Sequence, residues 1–310
     1  MTRRRLLPLL LLVLGCADSD APRVSLAIAP PPRADTALGA LFHEGVRQAK
    51  DELADQIDPH RRHPHSGGRH RVAILAPTSR DAVPPWLQQA RAKGLRVVVC
   101  GADPAPELRD VFIDPTPTDA MARCLLSLAA DAIGGKGRIL LVGGDAAAIR
   151  PAACADHIRA AAADYPACEI VETLFPGDAE GAVRKAVRDA LDRIPRLSAV
   201  VGLTPDATRD AVAAVLDAPT APRPSVTGVA LPKDMRVHVR DGAVAAFACW
   251  SPVDVGYLAV HAAVHLGRGE LPRNGTVRAG RLGELTVADG RIVLAPPLVV
   301  TARNIAQIPF

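Results

Sequence analysis

Cys16 is the residue whose neighbours point most clearly to a chemical step. Three arginines at positions 3–5 precede an apolar run at positions 6–14, and the small residue Gly15 stands directly before the cysteine. This order is typical of an export leader, and the run is shorter than the ~20 apolar residues of a transmembrane helix. The thiol is placed to receive a diacylglycerol. We predict that residues 1–16 are a lipoprotein signal peptide; a secretory signal with an incidental cysteine is the alternative.

Five further cysteines follow at wide and irregular spacing: Cys100, Cys124, Cys154, Cys168 and Cys249. An odd number at such spacing is not a disulfide framework, even in an oxidising compartment. Cys154 and Cys168 flank one predicted helix and could form a disulfide bond. We favour the alternative that these cysteines are buried small apolar side chains.

The histidine-rich tract Asp58–Arg71, with the sequence DPHRRHPHSGGRHR, carries His60, His63, His65 and His70. Histidines bind transition metals when the fold fixes their geometry. The tract has no fixed spacing and no neighbouring carboxylate cluster, so we predict a solvated loop. We expect no metal site and no cofactor in this protein.

Three patterns bear on catalysis, and each of them is incomplete. Cys100, at the end of a predicted strand, has no visible histidine partner. The GGD turn at residues 143–145 lacks the full Gly-x-Gly-x-x-Gly spacing of a phosphate-binding turn, and His261 and His265 lack the glutamate of the zinc-protease pattern. We therefore predict that the protein is not an enzyme.

Composition excludes one class of partner and indicates the kind of core. The net charge of +4 is spread along the chain and lies partly in the leader, so it does not indicate nucleic-acid binding. Hydrophobic residues make up 49% of the 310 residues and aromatic residues only 3%. The core must be built from Ala, Val, Leu and Ile. At ~100–200 residues per domain, the length suggests two lobes.

Apolar runs alternate with amphipathic stretches along most of the chain. Predicted strands span residues 24–29, 72–76, 95–100, 138–142, 169–173, 199–202, 225–229 and 244–250. Predicted helices span residues 36–56, 84–93, 119–133, 150–164, 181–193, 207–216 and 252–266. Near-continuous apolar strands separated by helices predict a doubly wound α/β fold with parallel sheets covered on both faces. A final hairpin, residues 281–288 and 291–294, closes at Asp289-Gly290.

One stretch of the chain resembles a known family. Residues 228–263, GVALPKDMRVHVRDGAVAAFACWSPVDVGYLAVHAA, are similar to a run in the periplasmic substrate-binding proteins for rhamnose and for autoinducer-2. The turn at residues 204–207 (TPDA) and the segment from Gly280 to Phe310 also resemble that family. The resemblance covers essentially residues 24–310 and is strongest after residue 199.

The resemblance implies a type I periplasmic-binding fold, in which two Rossmann-like lobes joined by a hinge enclose a ligand. The first lobe would comprise residues 24–114 plus 251–276, after a tether at residues 17–23. The second lobe would comprise residues 115–250 plus 277–310.

The resemblance also implies ligand contacts, which we expect at the carboxyl ends of strands. Pro205, Asp206 and Ala207 match a turn whose backbone holds ligand oxygens. Arg150 stands where sugar binders place a polar contact, and a guanidinium donates several hydrogen bonds at once; a solvated first-turn residue is the alternative. Trp250 matches an aromatic residue at a crossing segment, where it would pack on an apolar sugar face or lie in the core.

Other positions depart from the family pattern. Where the family has Asp-Ser-Asp, this chain has Gly101-Ala102-Asp103, and Asp103 is the carboxylate that we retain as a candidate contact. The Asp-Gln pair and the Trp-Asp-Pro crossing have become Ile149-Arg150 and Trp250-Ser251-Pro252. Each lost hydrogen-bond partner costs ~1–3 kcal/mol, so we expect the family's ligands to bind weakly or not at all.

The first lobe should lack one strand-helix unit, because only the tract at residues 58–71 occupies the place of that unit. Its exposed sheet edge would be blunted by the charges of the tract or would dock a partner.

The resulting hypothesis is a monomeric, lipid-anchored solute-binding protein that delivers a sugar-like small molecule to an ABC permease. Its alternative is a sensor or scaffold that signals to a membrane partner. Ala17 after Cys16 favours the periplasmic side of the outer membrane.

Overall fold

The computed structural model describes residues 23–28, 36–58, 71–219 and 221–310. The leader with Cys16, nearly all of the tether and the four histidines of the tract lie outside these residues. The predictions made for them stay predictions.

Seven strands form the first sheet. They are β1 (Ser25–Ile28), β2 (Arg71–Leu75), β3 (Arg96–Cys100), β4 (Val111–Asp114), β10 (Gly275–Arg278), β11 (Glu284–Ala288) and β12 (Arg291–Val293). Their order is β1-β2-β3-β4-β12-β11-β10, with all pairs parallel up to β12 and the last two pairs antiparallel.

Helices cover both faces of this sheet, and together they form the first lobe. They are α1 (Ala37–Glu52), α2 (Leu87–Ala92) and α8 (Pro252–Arg268). Successive strand residues point to opposite faces. Val72 and Val98 pack in the cluster that contains α1 and α8, whereas Ala73 and Val97 pack against α2.

The second lobe is built around a parallel sheet of four strands in the order β6-β5-β7-β8. Its strands are β5 (Gly137–Val142), β6 (Cys168–Leu174), β7 (Leu197–Gly202) and β8 (Ser225–Gly228), and an antiparallel pair follows, β9 (Ala246–Cys249) with β13 (Leu298–Thr301). Its helices are α3 (Thr118–Ala132), α4 (Ile149–Ala161), α5 (Ala182–Arg193), α6 (Pro205–Asp217) and α7 (Pro232–Arg240). The predicted doubly wound α/β fold is confirmed.

The C-terminal hairpin lies on a different sheet from the one we expected. The turn forms as predicted, with positive φ at Asp289 and Gly290. However, β12 pairs in parallel with β4, so residues 275–293 complete the first sheet. We expected residues 277–310 in the second lobe, but residues 277–293 belong to the first lobe, and β13 is the strand that returns to the second lobe. The physical reason for this pairing is that β4, which ends where the chain leaves the first lobe, would otherwise be an unpaired edge of the sheet.

β4 itself was missed by the sequence reasoning. Its four residues, VFID, are too short to show a period, although all four are buried. This strand matters because its last residue, Asp114, lies where the chain leaves the first lobe.

The outer edge of β1 bears on the predicted missing unit. Among the described residues, its outer side is met only by the isolated parallel bridge between Val24 and Ile57. No complete strand-helix unit occurs between α1 and β2 in the described part of the chain. Residues 59–70 lie outside that part, so the shortened first lobe stays a prediction.

α1 and α8 approach each other at backbone distance through two glycines. A Cβ added to Gly45 would lie 1.8 Å from the carbonyl oxygen of Val253, and one added to Gly256 would lie 2.0 Å from that of Phe42. Any larger residue would force the helices apart.

His261 of α8 is buried in the same lobe. It is 4% exposed, its Nε2 has no hydrogen-bond partner among the described residues, and that atom lies 3.8 Å from Glu52. Tyr257, Arg281 and His265 also face it. Desolvation lowers the pKa of the imidazole, and the Arg281 and His265 charges add to this effect, while Glu52 partly offsets it.

Protonation of His261 should therefore destabilise the fold. The unfolded chain has a histidine pKa near ~6.5, above that in the folded state, so stability is complete above that pH and declines below it. We expect His261→Leu to reduce the loss of unfolding free energy between pH 7.5 and 5.5, measured by urea denaturation. His157→Leu, at an exposed position of α4, is the matched control. Equal pH dependence in wild type and His261→Leu would contradict this prediction.

Candidate functional site

A cavity of about 280 Å³ lies between the two lobes. Loops that follow the carboxyl ends of β2, β3, β5, β7 and β8 contribute to its wall, as expected for α/β sheets. Its volume is close to the lower end of the ~300–1,000 Å³ range of small-molecule pockets. The cavity is therefore the candidate ligand site.

The first-lobe wall of the cavity is uncharged among the described residues. Its apolar members include Leu38, Phe42, Ala76, Pro77, Ala102 and Val255. Two threonines, Thr36 and Thr78, supply its hydroxyl groups. This wall offers a ligand mainly van der Waals contact.

Hydroxyl side chains fix the starts of three helices that border the cavity. Thr36, Thr204 and Ser251 each accept a hydrogen bond from a backbone N–H three residues later, at 3.1–3.2 Å. Ser251 is the position where the family has aspartate. Here it serves as the N-cap of α8.

The second-lobe wall carries four carboxylates: Asp145, Asp178, Asp206 and Asp234. The backbone N–H of Asp145 donates to Asp178 at 3.1 Å, which ties the loops after β5 and β6 together. Asp206 forms an ion pair of 2.8 Å with Arg209. The polar side of the cavity is therefore acidic.

Arg150 lines the cavity, but its guanidinium is held by the first lobe. It donates to the Asp114 carboxylate and to the carbonyl of Gly101 at 3.0 Å each, and to the carbonyl of Thr116 at 2.8 Å. Asp114 is buried, and Arg291 binds its other carboxylate oxygen. Arg150 thus joins the two lobes across the cleft.

Trp250 also lines the cavity and packs against the cores of both lobes. The guanidinium carbon of Arg150 lies 5.5 Å from the centre of its ring. One aromatic face is therefore covered by a cation of the protein itself.

The turn at residues 205–207 is divided between the cavity and the core. Pro205 and Asp206 line the cavity. Ala207 is fully buried beneath them, and its N–H donates to Thr204. The cap of α6 thus uses the backbone donor that we had expected to hold a ligand.

Asp103 differs from the expectation in its position. Its carboxylate accepts a hydrogen bond of 2.7 Å from Arg109, and the residue does not contribute to the cavity wall. The ion pair holds it within the first lobe.

The five cysteines of the described chain are free. Cys154 and Cys168 are both buried and do not form the disulfide bond that their spacing permitted, and Cys100 and Cys249 are buried as well. Burial raises the pKa of Cys100, which lines the cavity, well above its ordinary value. It raises the pKa of Cys154 to about 12. A thiol so protonated is a poor nucleophile.

The described residues alone bear on metal binding and membrane crossing. Among them, no three His, Cys, Asp or Glu side chains are arranged to hold a metal ion. None of their helices combines the length and apolar character needed to cross a bilayer.

Sequence reasoning missed Asp178 and Asp234 as cavity residues. Both follow strands of the second sheet, β6 and β8, at the carboxyl end where α/β proteins bind ligands. This position after a strand could be read from the sequence, but many loop residues have it. Only the tertiary structure shows which of these residues reach the cleft.

Solved structures share this architecture. A sugar ABC transporter from Actinomyces odontolyticus is 25% identical, with 93% of this chain and 98% of that chain covered and a TM-score of 0.74. A solute-binding protein from Clostridium phytofermentas with bound L-rhamnose is 18% identical (93% and 98% covered, TM-score 0.77). LsrB from Clostridium saccharobutylicum, in complex with AI-2, is 13% identical (93% and 100% covered, TM-score 0.79).

A family model agrees with the fold and with the cleft between the lobes. The model described as the periplasmic binding protein domain matches residues 69–271, well over half of the chain. The match includes most of the second lobe, about half of the first lobe, and the crossing segments at Asp114 and Trp250. The chain therefore belongs to the periplasmic binding protein domain family.

Proposed function

We propose that this protein is an extracytoplasmic solute-binding protein that encloses a small sugar-like molecule and delivers it to the permease of an ABC importer. The observation that carries the proposal is the cavity of about 280 Å³ between two lobes, at the carboxyl ends of the strands of both sheets. The family is named for periplasmic binding, which supports an extracytoplasmic location. Related structures hold L-rhamnose, D-arabinose and α-D-tagatopyranose.

Anchoring at Cys16 belongs to the same proposal. A lipid on that cysteine would tether a monomeric binding protein to a membrane of the envelope. Ala17 favours the periplasmic side of the outer membrane, from which direct docking to an inner-membrane permease would be harder. The proposal is of binding without chemical conversion, and burial, which raises the pKa of the Cys100 thiol, argues against that side chain as a nucleophile.

The Arg150–Asp114 ion pair favours a second candidate, a sensor or scaffold. It joins the lobes through the protein's own side chains, with 3.0 Å between the guanidinium and the carboxylate. A protein that closes in this way has less need of a ligand. Purification with the membrane partner would separate the candidates, since a permease supports import and a sensor kinase supports signalling.

Titration calorimetry of the full chain tests the proposed function. We expect heat of binding with at least one member of a panel of L-rhamnose, D-arabinose, D-tagatose, autoinducer-2 and small cyclic alcohols. Ala76→Trp should abolish that heat, because residue 76 is a partly exposed position on the cavity wall and an indole would fill the space. An unchanged melting temperature would show that the variant is folded. Absence of binding across the panel would contradict the proposal.

A further inference from the structure

The two walls of the cavity differ in chemistry. The described first-lobe wall presents aliphatic, aromatic and proline carbon, with hydroxyls at Thr36 and Thr78. The second-lobe wall presents the carboxylates of Asp145, Asp178, Asp206 and Asp234. A ligand that fills the space meets apolar surface on one side and hydrogen-bond acceptors on the other.

Arg150 is the one basic side chain among the described lining residues, and it is already committed to the protein. Its guanidinium binds Asp114, 3.0 Å away, and two backbone carbonyls. A ligand carboxylate or phosphate would meet a guanidinium whose charge is already paired with Asp114, and it would approach four aspartates. The cavity therefore disfavours anions.

One face of the Trp250 indole is unavailable to a sugar ring. The Arg150 guanidinium lies over one face of its indole, at 5.5 Å from the ring centre. Ligand hydroxyl groups that point toward the first-lobe wall would be desolvated and would contact mainly apolar side chains. Each such hydroxyl lowers affinity, because a buried polar group without a partner bears its full desolvation cost.

We infer that the ligand is a small molecule with one apolar face and hydrogen-bond donors, hydroxyl or ammonium, at its opposite end, rather than a polyhydroxylated sugar or an anion. This inference rests on the proposed function and narrows its ligand class. The apolar face contacts Leu38, Phe42 and Val255, and the donors face the carboxylates of the second-lobe wall. Among these, Asp206 also pairs with Arg209 at 2.8 Å. The cavity volume of about 280 Å³ limits the ligand to about the size of a single ring.

A series built on one six-carbon ring tests the inference at constant size. The probes are trans-1,2-cyclohexanediol, myo-inositol, cyclohexylamine and cyclohexanecarboxylate, titrated into the full chain in lipid nanodiscs. Binding is measured by calorimetry and by the fluorescence of Trp250, with Trp250→Phe separating its signal from that of Trp86. We expect the diol to bind about ten-fold more tightly than myo-inositol, or better. The amine should bind more tightly than the carboxylate.

Ala76→Asp probes the apolar wall directly. A carboxylate at this partly exposed position should weaken binding of the diol and narrow its advantage over myo-inositol by about ten-fold. Ala40→Asp, on the exposed side of α1, is the matched control and should leave the ratio unchanged. The relative affinities of the diol and myo-inositol for the wild-type protein already test the inference, so the test does not depend on whether a variant folds.

The possible outcomes separate the inference from the proposed function. If myo-inositol binds as tightly as the diol, the ligand class is wrong although solute binding stands. If the carboxylate binds as tightly as the amine, the donor end is wrong. If neither this series nor the sugar panel binds, both the inference and the proposed function are overturned.

Discussion

An Asp114→Asn variant is expected to lose about 3 kcal/mol of unfolding free energy and to open the cleft. Asp114 is 2% exposed, and its carboxylate binds Arg150 of the second lobe and Arg291 of the first. Breaking a buried ion pair by neutralising one partner is costly, because the remaining charges keep their desolvation penalty. Denaturant unfolding gives the free energy, and small-angle X-ray scattering should show a larger radius of gyration.

The control for this variant is Asp156→Asn. Asp156 pairs with Arg159 on α4, the helix that carries Arg150, but its side chain is 79% exposed. Exposed pairs contribute only ~0–1 kcal/mol, so this change should have little effect. A double-mutant cycle with Arg150→Met should give a coupling energy of about 0.5–3 kcal/mol. Additive effects and an unchanged radius of gyration would show that the ion pair does not hold the lobes together.

Replacing Gly256 by alanine should destabilise the first lobe by about 3 kcal/mol. The new methyl group would stand 2.0 Å from the carbonyl oxygen of Phe42, where only backbone can move. Overpacking typically costs ~1–3 kcal/mol, and a backbone obstacle places this site at the upper end. Because Phe42 belongs to the cavity wall, ligand affinity should fall as α1 shifts.

Ala40→Val is the matched control for the added volume. Residue 40 lies on the exposed side of α1, so the change should cost less than about 1 kcal/mol, mainly through helix propensity. Urea denaturation of the three proteins makes the comparison. If Gly256→Ala were as stable as Ala40→Val, the close approach of α1 and α8 would not be a constraint.

Both variants bear on how a ligand would be held. Arg150 bridges the cleft, because it reaches from α4 to the ends of β3 and β4. α1 and α8 form the rigid support of the apolar wall. Because Arg150 lines the cavity and also pairs with Asp114, a change at Asp114 should alter both the cavity wall and the contact between the lobes.

Local sequence signals were sufficient for most of the α/β framework. The predicted strand at residues 95–100 is β3 to within one residue, and the predicted helix at residues 207–216 lies within α6. Their apolar residues recur with the period of the element, which reflects burial on one or both faces. The Asp-Gly turn between β11 and β12 was likewise predictable, because positive φ at two successive positions favours such a pair.

The partners of the hairpin were decided by the tertiary structure. The sequence of residues 281–294 predicts two antiparallel strands, but not the sheet that receives them. β12 joins β4 because that edge is open and adjacent to the crossing segment. β4 is too short for a periodic signal, so neither half of this pairing was readable along the chain.

The sequence by itself determined the α/β framework of mainly parallel strands and the resemblance to periplasmic binding proteins. Tertiary structure alone decided what the retained polar residues do. Arg150 meets a carboxylate 36 positions away, and that carboxylate also binds an arginine 177 positions away. Secondary-structure propensity depends on neighbouring residues. The pairing of a buried charge depends instead on which distant groups the fold brings within hydrogen-bond distance.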